Sequence, residues 1–256
     1  TVVGAGRRLG AAAIGALAAA GVADVGCSTR PRVAVLATGS ELRTPGESLG
    51  PGQIYESNRV MIAAVLANAG ADVEQLPVVP DEAGAHERAL AQGLEADVLV
   101  TSGGVSVGPH DLVRRTAGEL GVEEVFWGVA VKPGKPVSFG VRGDTLVFGL
   151  PGNPVSSLVG ALLFVRPALL ALQGLADPRP KLEVGRAGSP LRQSPERDEF
   201  LRARRRSDPD GVVLEPVSGQ ESHMIVRAAT ADALVHVPRG TGEVPAGAAV
   251  RYLDLA

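Results

Sequence analysis

The chain has 256 residues, with 33 glycines, 19 prolines and a formal net charge of −3, which suits one large or two modest domains and argues against general nucleic-acid binding. Only five Phe, two Tyr and one Trp are present, too few for base-stacking platforms. The single cysteine, Cys27, excludes a disulfide framework and a cysteine-based zinc site, so we expect a reducing, cytoplasmic location.

Strand-like and helix-like segments alternate along the first two thirds of the chain. The predicted helices are 7–20, 57–69, 82–94, 111–120 and 154–172, and the predicted strands are 32–38, 72–79, 97–102, 136–141 and 145–150. The last helix is apolar but contains Arg166 and Pro167, so we interpret it as buried, with a kink at Pro167, rather than as a membrane span. This alternation predicts an α/β fold of three layers, with a mostly parallel sheet between helices.

The pattern changes after Gly174, where short β-rich segments are separated by turn residues. We predict a small second domain, barrel-like or a sandwich, and we interpret the run from Arg202 to Arg206 as an exposed strand or turn. The predicted domain bounds are 1–29 for an N-terminal remnant, 30–175 for the α/β domain and 176–256 for the β domain.

Three glycine-bearing loops each follow a predicted strand directly. Because ligands of open parallel sheets bind at the carboxyl ends of the strands, we expect these loops to form one crevice. The alternative is that each loop is an ordinary turn between a strand and a helix. The predicted ligand-binding residues in these loops are Thr38, Gly39, Ser102, Gly103, Gly104, Ser106, Gly108, Pro151, Gly152 and Asn153.

The loop over residues 102–108 has the composition of a phosphate cradle. Gly103 and Gly104 allow backbone conformations that aim amide groups at an anion, and two serine hydroxyls accompany them. It is not a Walker A loop, because no Gly-Lys-Ser/Thr follows. Asn153 and Pro154 are typical of a helix start, which would offer its amino end to the same negative charge or would be a plain capped helix.

The segment Lys132-Pro133-Gly134-Lys135 carries two cations among apolar neighbours. Two ammonium groups of this kind would offset the charge of a phosphate or oxyanion, although a surface turn would also tolerate them. We therefore predict that Lys132 and Lys135 are catalytic and that Pro133 and Gly134 contact the ligand.

Three carboxylates belong to the same predicted edge of the sheet: Glu41, Asp81 and Asp111. Oxygen ligands from separate loops suit Mg²⁺, so we predict that these three bind the metal and assist phosphoryl chemistry. Singly, each would be a helix cap or a solvated charge. His86 is expected on a helix surface.

Five motifs together resemble the molybdopterin molybdenumtransferase family, which completes molybdenum cofactor synthesis. They are RPRVAVLATGSEL (30–42), GQIYESNRVM (52–61), TSGGVSVGPHD (101–111), VAVKPGKPVSFG (129–140) and GLPGNPVSS (149–157). The later segments EFLRARR (199–205), QESHMI (220–225) and ADALVHVP (231–238) resemble the family's C-terminal β domain. The resemblance therefore extends over essentially the whole chain.

The resemblance implies a Mog-like α/β domain that binds the pterin, and a transferase reaction. Molybdate would enter adenylylated molybdopterin with Mg²⁺ assistance and release of AMP. Glu41, Asp81 and Asp111 match acidic positions of the family site, and Lys132 and Lys135 match its basic pair. Family members carry a longer N-terminal region with a dimerisation segment, so residues 1–28 are expected to be the tail of that region.

The resemblance also implies a homodimer for the full-length family and contact with the adenylyltransferase of the preceding step. Ser40 departs from the Asp or Asn of many relatives. Two alternatives stay open: a molybdopterin adenylyltransferase, and a non-catalytic pterin-binding module.

Overall fold

The structure is a computed structural model that describes residues 1–104 and 112–255. Its helices are α1 (Ala11–Ala19), α2 (Asn58–Asn68), α3 (Ala83–Gly93), α4 (Leu112–Glu119), α5 (Pro154–Gly160), α6 (Arg166–Leu172) and α7 (Ile225–Ala228). The strands of the first half are β1 (Arg32–Ala37), β2 (Leu42–Arg43), β3 (Ile54–Tyr55), β4 (Asp72–Gln75), β5 (Val98–Ser102), β6 (Glu123–Trp127), β7 (Val131–Lys132), β8 (Ser138–Arg142) and β9 (Thr145–Leu150). The strands of the second half are β10 (Glu183–Ala187), β11 (Leu191–Arg192), β12 (Asp198–Asp208), β13 (Gly211–Pro216), β14 (Ala233–Val237), β15 (Glu243–Val244) and β16 (Ala249–Asp254).

A six-stranded sheet with the order β4-β1-β5-β9-β8-β6 forms the centre of the first domain. The first four of these strands are parallel, and β8 runs antiparallel to both of its neighbours. The central strands β1 and β5 are buried almost throughout, which explains their continuous apolar runs. The predicted α/β fold with a mostly parallel sheet is confirmed.

Each face of this sheet has its own apolar core. On one face, Ile62 and Leu66 of α2 pack with Leu169 of α6 against the inward side chains of β1 and β5. On the other face, Leu90 of α3 and Val113 of α4 pack against the alternate side chains of the same strands. Successive strand residues point to opposite faces, so buried strands supply both cores and produce the three layers.

Helices α5 and α6 are joined through a π-helical turn, Ala161–Val165, into one helix that we call the long helix (Pro154–Leu172). Among the described residues it is the helix that is long and apolar enough to cross a membrane, but half of that stretch is buried within the protein. The π turn ends two residues before Pro167, and the kink itself stays a prediction. Proline lacks an N–H group, so the regular hydrogen-bond ladder cannot continue through this position.

The second domain is a closed five-stranded barrel. Its strands follow the order β13-β10-β16-β14-β12, and β12 also pairs with β13 to close the ring. Ala203, Val235 and Tyr252 are fully buried in its interior. The barrel-like prediction is confirmed, and the sheet extends further because β7, from the first half of the chain, pairs in parallel with β12.

The N-terminal helix is shorter than predicted and lies on the outside. It runs over Ala11–Ala19, and none of its residues is buried. The segment before it contacts the linker that follows α6, where the amide of Ala176 donates to the carbonyl oxygen of Gly6 at 2.9 Å.

Candidate functional site

The three glycine-bearing loops meet at the carboxyl edge of the parallel strands. The Thr38 amide donates to the carbonyl oxygen of Ser102 at 3.1 Å, and the Gly103 amide donates to the carbonyl oxygen of Leu150 at 3.1 Å. The loop after β4 joins them, since the Gly39 amide donates to the carbonyl oxygen of Val79 at 3.0 Å. The described parts of these loops therefore form one continuous polar edge, which we call the loop edge (residues 38–41, 79–81, 102–104 and 150–153).

Glycine is required where the second loop approaches the first. Gly103 has a φ of 92°, and a Cβ at this position would lie 2.7 Å from the carbonyl oxygen of Thr38. Gly104 has a φ of 66°, and a Cβ there would overlap the side chain of Val113. Any side chain would separate these loops, so both glycines are needed for the backbone to cross this edge.

Asn58, the first residue of α2, links two of the loops. Its side-chain amide donates to the Ser102 hydroxyl at 2.9 Å and to the carbonyl oxygen of Gly152 at 2.7 Å. The Ser102 hydroxyl in turn lies 3.2 Å from the Ser157 hydroxyl of α5. Ser57, the residue before it, is the N-cap of α2 and makes no side-chain capping bond.

Two buried polar atoms at this edge have no hydrogen-bond partner within the described ranges: the Thr38 hydroxyl and the Asn58 side-chain oxygen. Both residues border the Ser102–Gly104 segment, because the Thr38 hydroxyl oxygen would lie 3.1 Å from a Cβ at Gly103. Buried polar groups are normally hydrogen-bonded, so unpaired ones in a loop crevice are candidate ligand contacts. The pair offers a hydroxyl donor and an amide acceptor.

Two of the predicted carboxylates adjoin the β1 loop. The Ser40 amide donates to Asp81 Oδ2 at 3.2 Å, and the Asp81 amide donates to the Ser40 hydroxyl at 2.9 Å. The Glu41 carboxylate oxygens would lie 2.8 and 2.9 Å from a Cβ at Gly39, so that carboxylate folds over the glycine. The sheet edge thus brings two acidic side chains to one loop.

The third carboxylate, Asp111, lies outside the described residues, as do Ser106 and Gly108. Among the residues that the structure describes, no group of three or more His, Cys, Asp or Glu side chains is arranged to hold a metal ion. The three-carboxylate metal site therefore stays a prediction.

His86 is not on a helix surface as expected, because its side chain is only 1% exposed. It precedes the equally buried Leu90 by one helical turn, so it shares the face of α3 that packs on the sheet. Its Nε2 lies 3.8 Å from Asp81 Oδ1, and neither ring nitrogen has a hydrogen-bond partner in the described chain. The burial of His86 could have been predicted from the sequence, because the helical period of α3 places it on the same face as Leu90.

The two predicted lysines differ in their surroundings. The Lys132 ammonium lies 3.1 Å from the Glu199 carboxylate of β12, and 54% of the Lys132 side chain is exposed against 12% for Glu199. Lys135 is exposed and forms no side-chain ion pair with the described residues. The intervening Pro133 and Gly134 bring the segment to the long helix, since a Cβ at Gly134 would lie 3.4 Å from the carbonyl oxygen of Ser156. The positive charge of Lys132 is therefore partly balanced by a carboxylate of the barrel.

The amino end of the long helix is partly covered by the barrel. Asn153 is its N-cap, as predicted, but makes no side-chain capping bond, and the Val155 amide donates to the carbonyl oxygen of Ser222 at 3.0 Å. Part of this helix end is therefore occupied by the barrel, and its role in binding an anion stays a prediction. Sequence reasoning missed Ser222, because nothing in a local pattern indicates contact between domains.

Arg202 holds the loop that carries Ser222. The guanidinium donates to the carbonyl oxygens of Gly219 at 2.7 Å, Met224 at 2.8 Å and Glu221 at 3.1 Å. The interpretation of the 202–206 run as exposed was wrong for Arg202, which is 1% exposed. Burial lowers the pKa of Arg202, while the nearby Glu221 carboxylate acts in the opposite direction. Because Ala203 faces the barrel interior, the alternation of β12 places Arg202 on the outer face, where this loop covers it. A buried arginine is tolerated because carbonyl groups surround it.

A mostly parallel sheet with a glycine-lined crevice, followed by a closed barrel, defines a two-domain α/β ligand-binding protein. The family model "probable molybdopterin binding domain" matches residues 34–171, and the model "MoeA C-terminal region (domain IV)" matches residues 184–255. The chain therefore belongs to the molybdopterin-binding domain family and is MoeA-like in its two-domain composition.

Curated relatives agree with this assignment. Molybdopterin molybdenumtransferase 2 of Mycobacterium tuberculosis is 37% identical over 264 residues, covering 100% of this chain and 64% of that protein. The molybdopterin molybdenumtransferase of Haemophilus influenzae is 34% identical over 248 residues, covering 96% of this chain and 61% of that protein. The chain thus spans somewhat less than two thirds of the length of these relatives.

A solved structure shares the whole architecture. The molybdopterin biosynthesis MoeA protein from Pyrococcus horikosii superposes with a TM-score of 0.83 at 30% identity, covering 100% of this chain and 62% of that one. Both the sheet and the barrel are included in the match, so the resemblance to the family deduced from the sequence motifs is confirmed.

Proposed function

We propose that this chain acts in molybdenum cofactor biosynthesis as a molybdopterin molybdenumtransferase. In the proposed reaction, adenylylated molybdopterin binds at the loop edge, molybdate enters its dithiolene and AMP is released. The names of the relatives support the class of reaction. The C-terminal MoeA region at residues 184–255 favours this reading over the adenylyltransferase alternative.

The unpaired Thr38 hydroxyl and Asn58 side-chain oxygen carry the proposal most directly. They lie where three strand-end loops converge, and a bound pterin nucleotide would supply the donors and acceptors that these atoms lack. The backbone amides of the Gly103 and Gly104 turn suit the phosphate of such a ligand, because both glycines have a positive φ that favours an anion-binding concavity.

The lysines would then have separate tasks. We propose that Lys135, which has no ion pair in the described chain, neutralises the ligand's negative charge. Lys132 is held beside the Glu199 carboxylate at 3.1 Å, so it would contribute charge and also join the barrel to the ligand edge.

Magnesium belongs to the proposal as well. Glu41 and Asp81 provide the oxygen ligands that Mg²⁺ prefers, and both adjoin the β1 loop. Glu41 and Asp81 would hold the ion, which would supply positive charge against the phosphate of the nucleotide. The contribution of Asp111, the homodimer, the contact with the adenylyltransferase and the cytoplasmic location stay predictions.

Isothermal titration with adenylylated molybdopterin, with and without Mg²⁺, tests this function. We expect Lys135→Gln and Asn58→Ala each to weaken binding by about tenfold, because each removes roughly one charge-assisted or buried polar contact. Arg192→Gln removes one exposed charge from β11 and is the matched control, for which we expect unchanged affinity.

Unchanged affinity in both Lys135→Gln and Asn58→Ala would reject the loop edge as the ligand site. Binding that does not depend on Mg²⁺ would reject the metal component alone. Formation of adenylylated molybdopterin from ATP and molybdopterin would instead favour the adenylyltransferase alternative.

A further inference from the structure

A second cavity of about 250 Å³ lies at the carboxyl end of the long helix. Its wall combines α6, the linker after it, the end of β16 and the N-terminal segment. The candidate site is at the other end of the same helix, and the rise of 1.5 Å per residue separates Pro154 from Leu170 by about 24 Å. The two sites are therefore distinct.

Besides Arg179, which pairs with Asp177, three cations from distant parts of the sequence line this cavity: Arg8, Arg166 and Lys181. None of them forms a side-chain hydrogen bond or an ion pair with a residue in the ranges 1–104 and 112–255. The Arg8 segment is held in place by the backbone bond between Gly6 and Ala176 at 2.9 Å. Three unpaired like charges in one concave wall repel each other, which favours an anion between them.

The wall also carries three carboxylates, so with its four cations it keeps one net positive charge, and each carboxylate has a nearer partner than Arg8 or Arg166. Asp177 pairs with Arg179 at 2.7 Å; this contact lowers the pKa of the Asp177 carboxyl, and the Lys181 charge acts in the same direction. Asp254 pairs with Arg205 at 2.8 Å. The Glu183 carboxylate accepts a hydrogen bond from the Tyr252 hydroxyl at 2.5 Å.

The remaining wall is apolar and stiff. Leu162, Leu170 and Leu253 form one side, and Pro178 and Pro180 fix the backbone of the linker that carries Lys181. Ligand pockets typically combine such apolar walls with a few converging polar groups. A linker that is already rigid loses little conformational freedom when a ligand binds.

We infer that this cavity is a binding site for a small phosphorylated anion, held by Arg8, Arg166 and Lys181. Arginine and lysine together suit a phosphate group, since guanidinium binds two oxygens at once and ammonium adds a point charge. The phosphate could belong to free inorganic phosphate or pyrophosphate, or to a nucleotide whose base rests on the leucines.

Site-resolved NMR on the complete chain tests the inference, with pyrophosphate as the probe. We expect saturable chemical-shift changes of the backbone amides over residues 175–181. This result does not depend on whether the amides around residues 103 and 152 also shift. Arg166→Gln and Lys181→Gln should each raise the pyrophosphate concentration needed for half-saturation by about tenfold. Arg192→Gln carries the same loss of charge on β11 and should leave it unchanged.

Two further titrations identify the source of the phosphate. Tighter binding of AMP than of inorganic phosphate at the 175–181 amides would support a nucleotide, and equal binding would support the free anion. Shifts confined to the loop edge, or equal weakening by Arg192→Gln, would overturn the inference. Retained binding of adenylylated molybdopterin in Arg166→Gln would show that the proposed function stands independently of this cavity.

Discussion

The two ends of the long helix use polar groups in opposite ways. At the amino end, backbone amides, hydroxyls and the Asn58 side chain bind one another, and only a few atoms remain unpaired. At the carboxyl end, three cations converge without ion pairs in the described chain. The first arrangement shapes a crevice through the backbone, whereas the second concentrates charge. Under the two proposals, one helix lies between two anion sites that differ in origin, the first formed by backbone groups and the second by side-chain charge.

The largest expected effect concerns the contact between the barrel and the amino end of the long helix. Arg202→Leu removes the buried donor that binds three loop carbonyl groups, and we expect the free energy of unfolding to fall by about 3–5 kcal/mol. Urea denaturation measures this loss. Amide exchange at Val155 should accelerate as well, because its acceptor, Ser222, lies in the released loop.

Arg204→Leu is the control for this change. It lies two residues along β12, is exposed, and donates to the carbonyl oxygen of Thr230 at 3.0 Å. We expect a loss of under about 1 kcal/mol, as for most surface substitutions. Equal losses in the two variants would mean that burial of Arg202 does not organise the loop. If Arg202→Leu does not fold, Arg202→Lys should still show faster exchange at Val155.

The sheet and its strand-end loops could be predicted from sequence because their signals are local. The apolar run of β1 and the glycines after β5 each carry information within a few residues. Barrel closure is different, because β12 must pair with both β13 and β14, and β7 joins from far earlier in the chain. No periodicity within one strand specifies which strand becomes its neighbour.

The same distinction applies to single residues. Gly103 and Asn153 were identified because turns and helix starts have local signatures. Asn58, Arg202 and Glu199 act through contacts 44, 22 and 67 residues away in sequence, so their roles become visible only in the fold. The cavity with Arg8, Arg166 and Lys181 is the extreme case, since these three positions share no segment.

The next largest effect is expected where the loop after β5 lies close to the backbone of the loop after β1. We expect Gly103→Ala to lower the free energy of unfolding by about 2–4 kcal/mol, through its positive φ and its overlap with the Thr38 carbonyl. Gly121→Ala has a similar φ of 86° but no atom within 4 Å, so it should cost only about 1 kcal/mol. Thermal or urea unfolding of the two variants measures the part of the loss that is due to overlap with the Thr38 carbonyl. Equal losses of stability would mean that the two loops can move apart without cost.

The smallest effect concerns the carboxyl end, where Tyr252 is 1% exposed beside the second cavity. Burial, with its hydrogen bond to Glu183, raises the pKa of Tyr252 above the ordinary value of about 10. Stability is therefore unaffected below about pH 10 and falls as the pH rises further, because the unfolded tyrosine ionises first. Urea midpoints between about pH 9 and 11 measure this slope. Tyr252→Phe should flatten it and the exposed Tyr55→Phe should not, so equal slopes in these two variants would mean that the Tyr252 hydroxyl is not buried against Glu183.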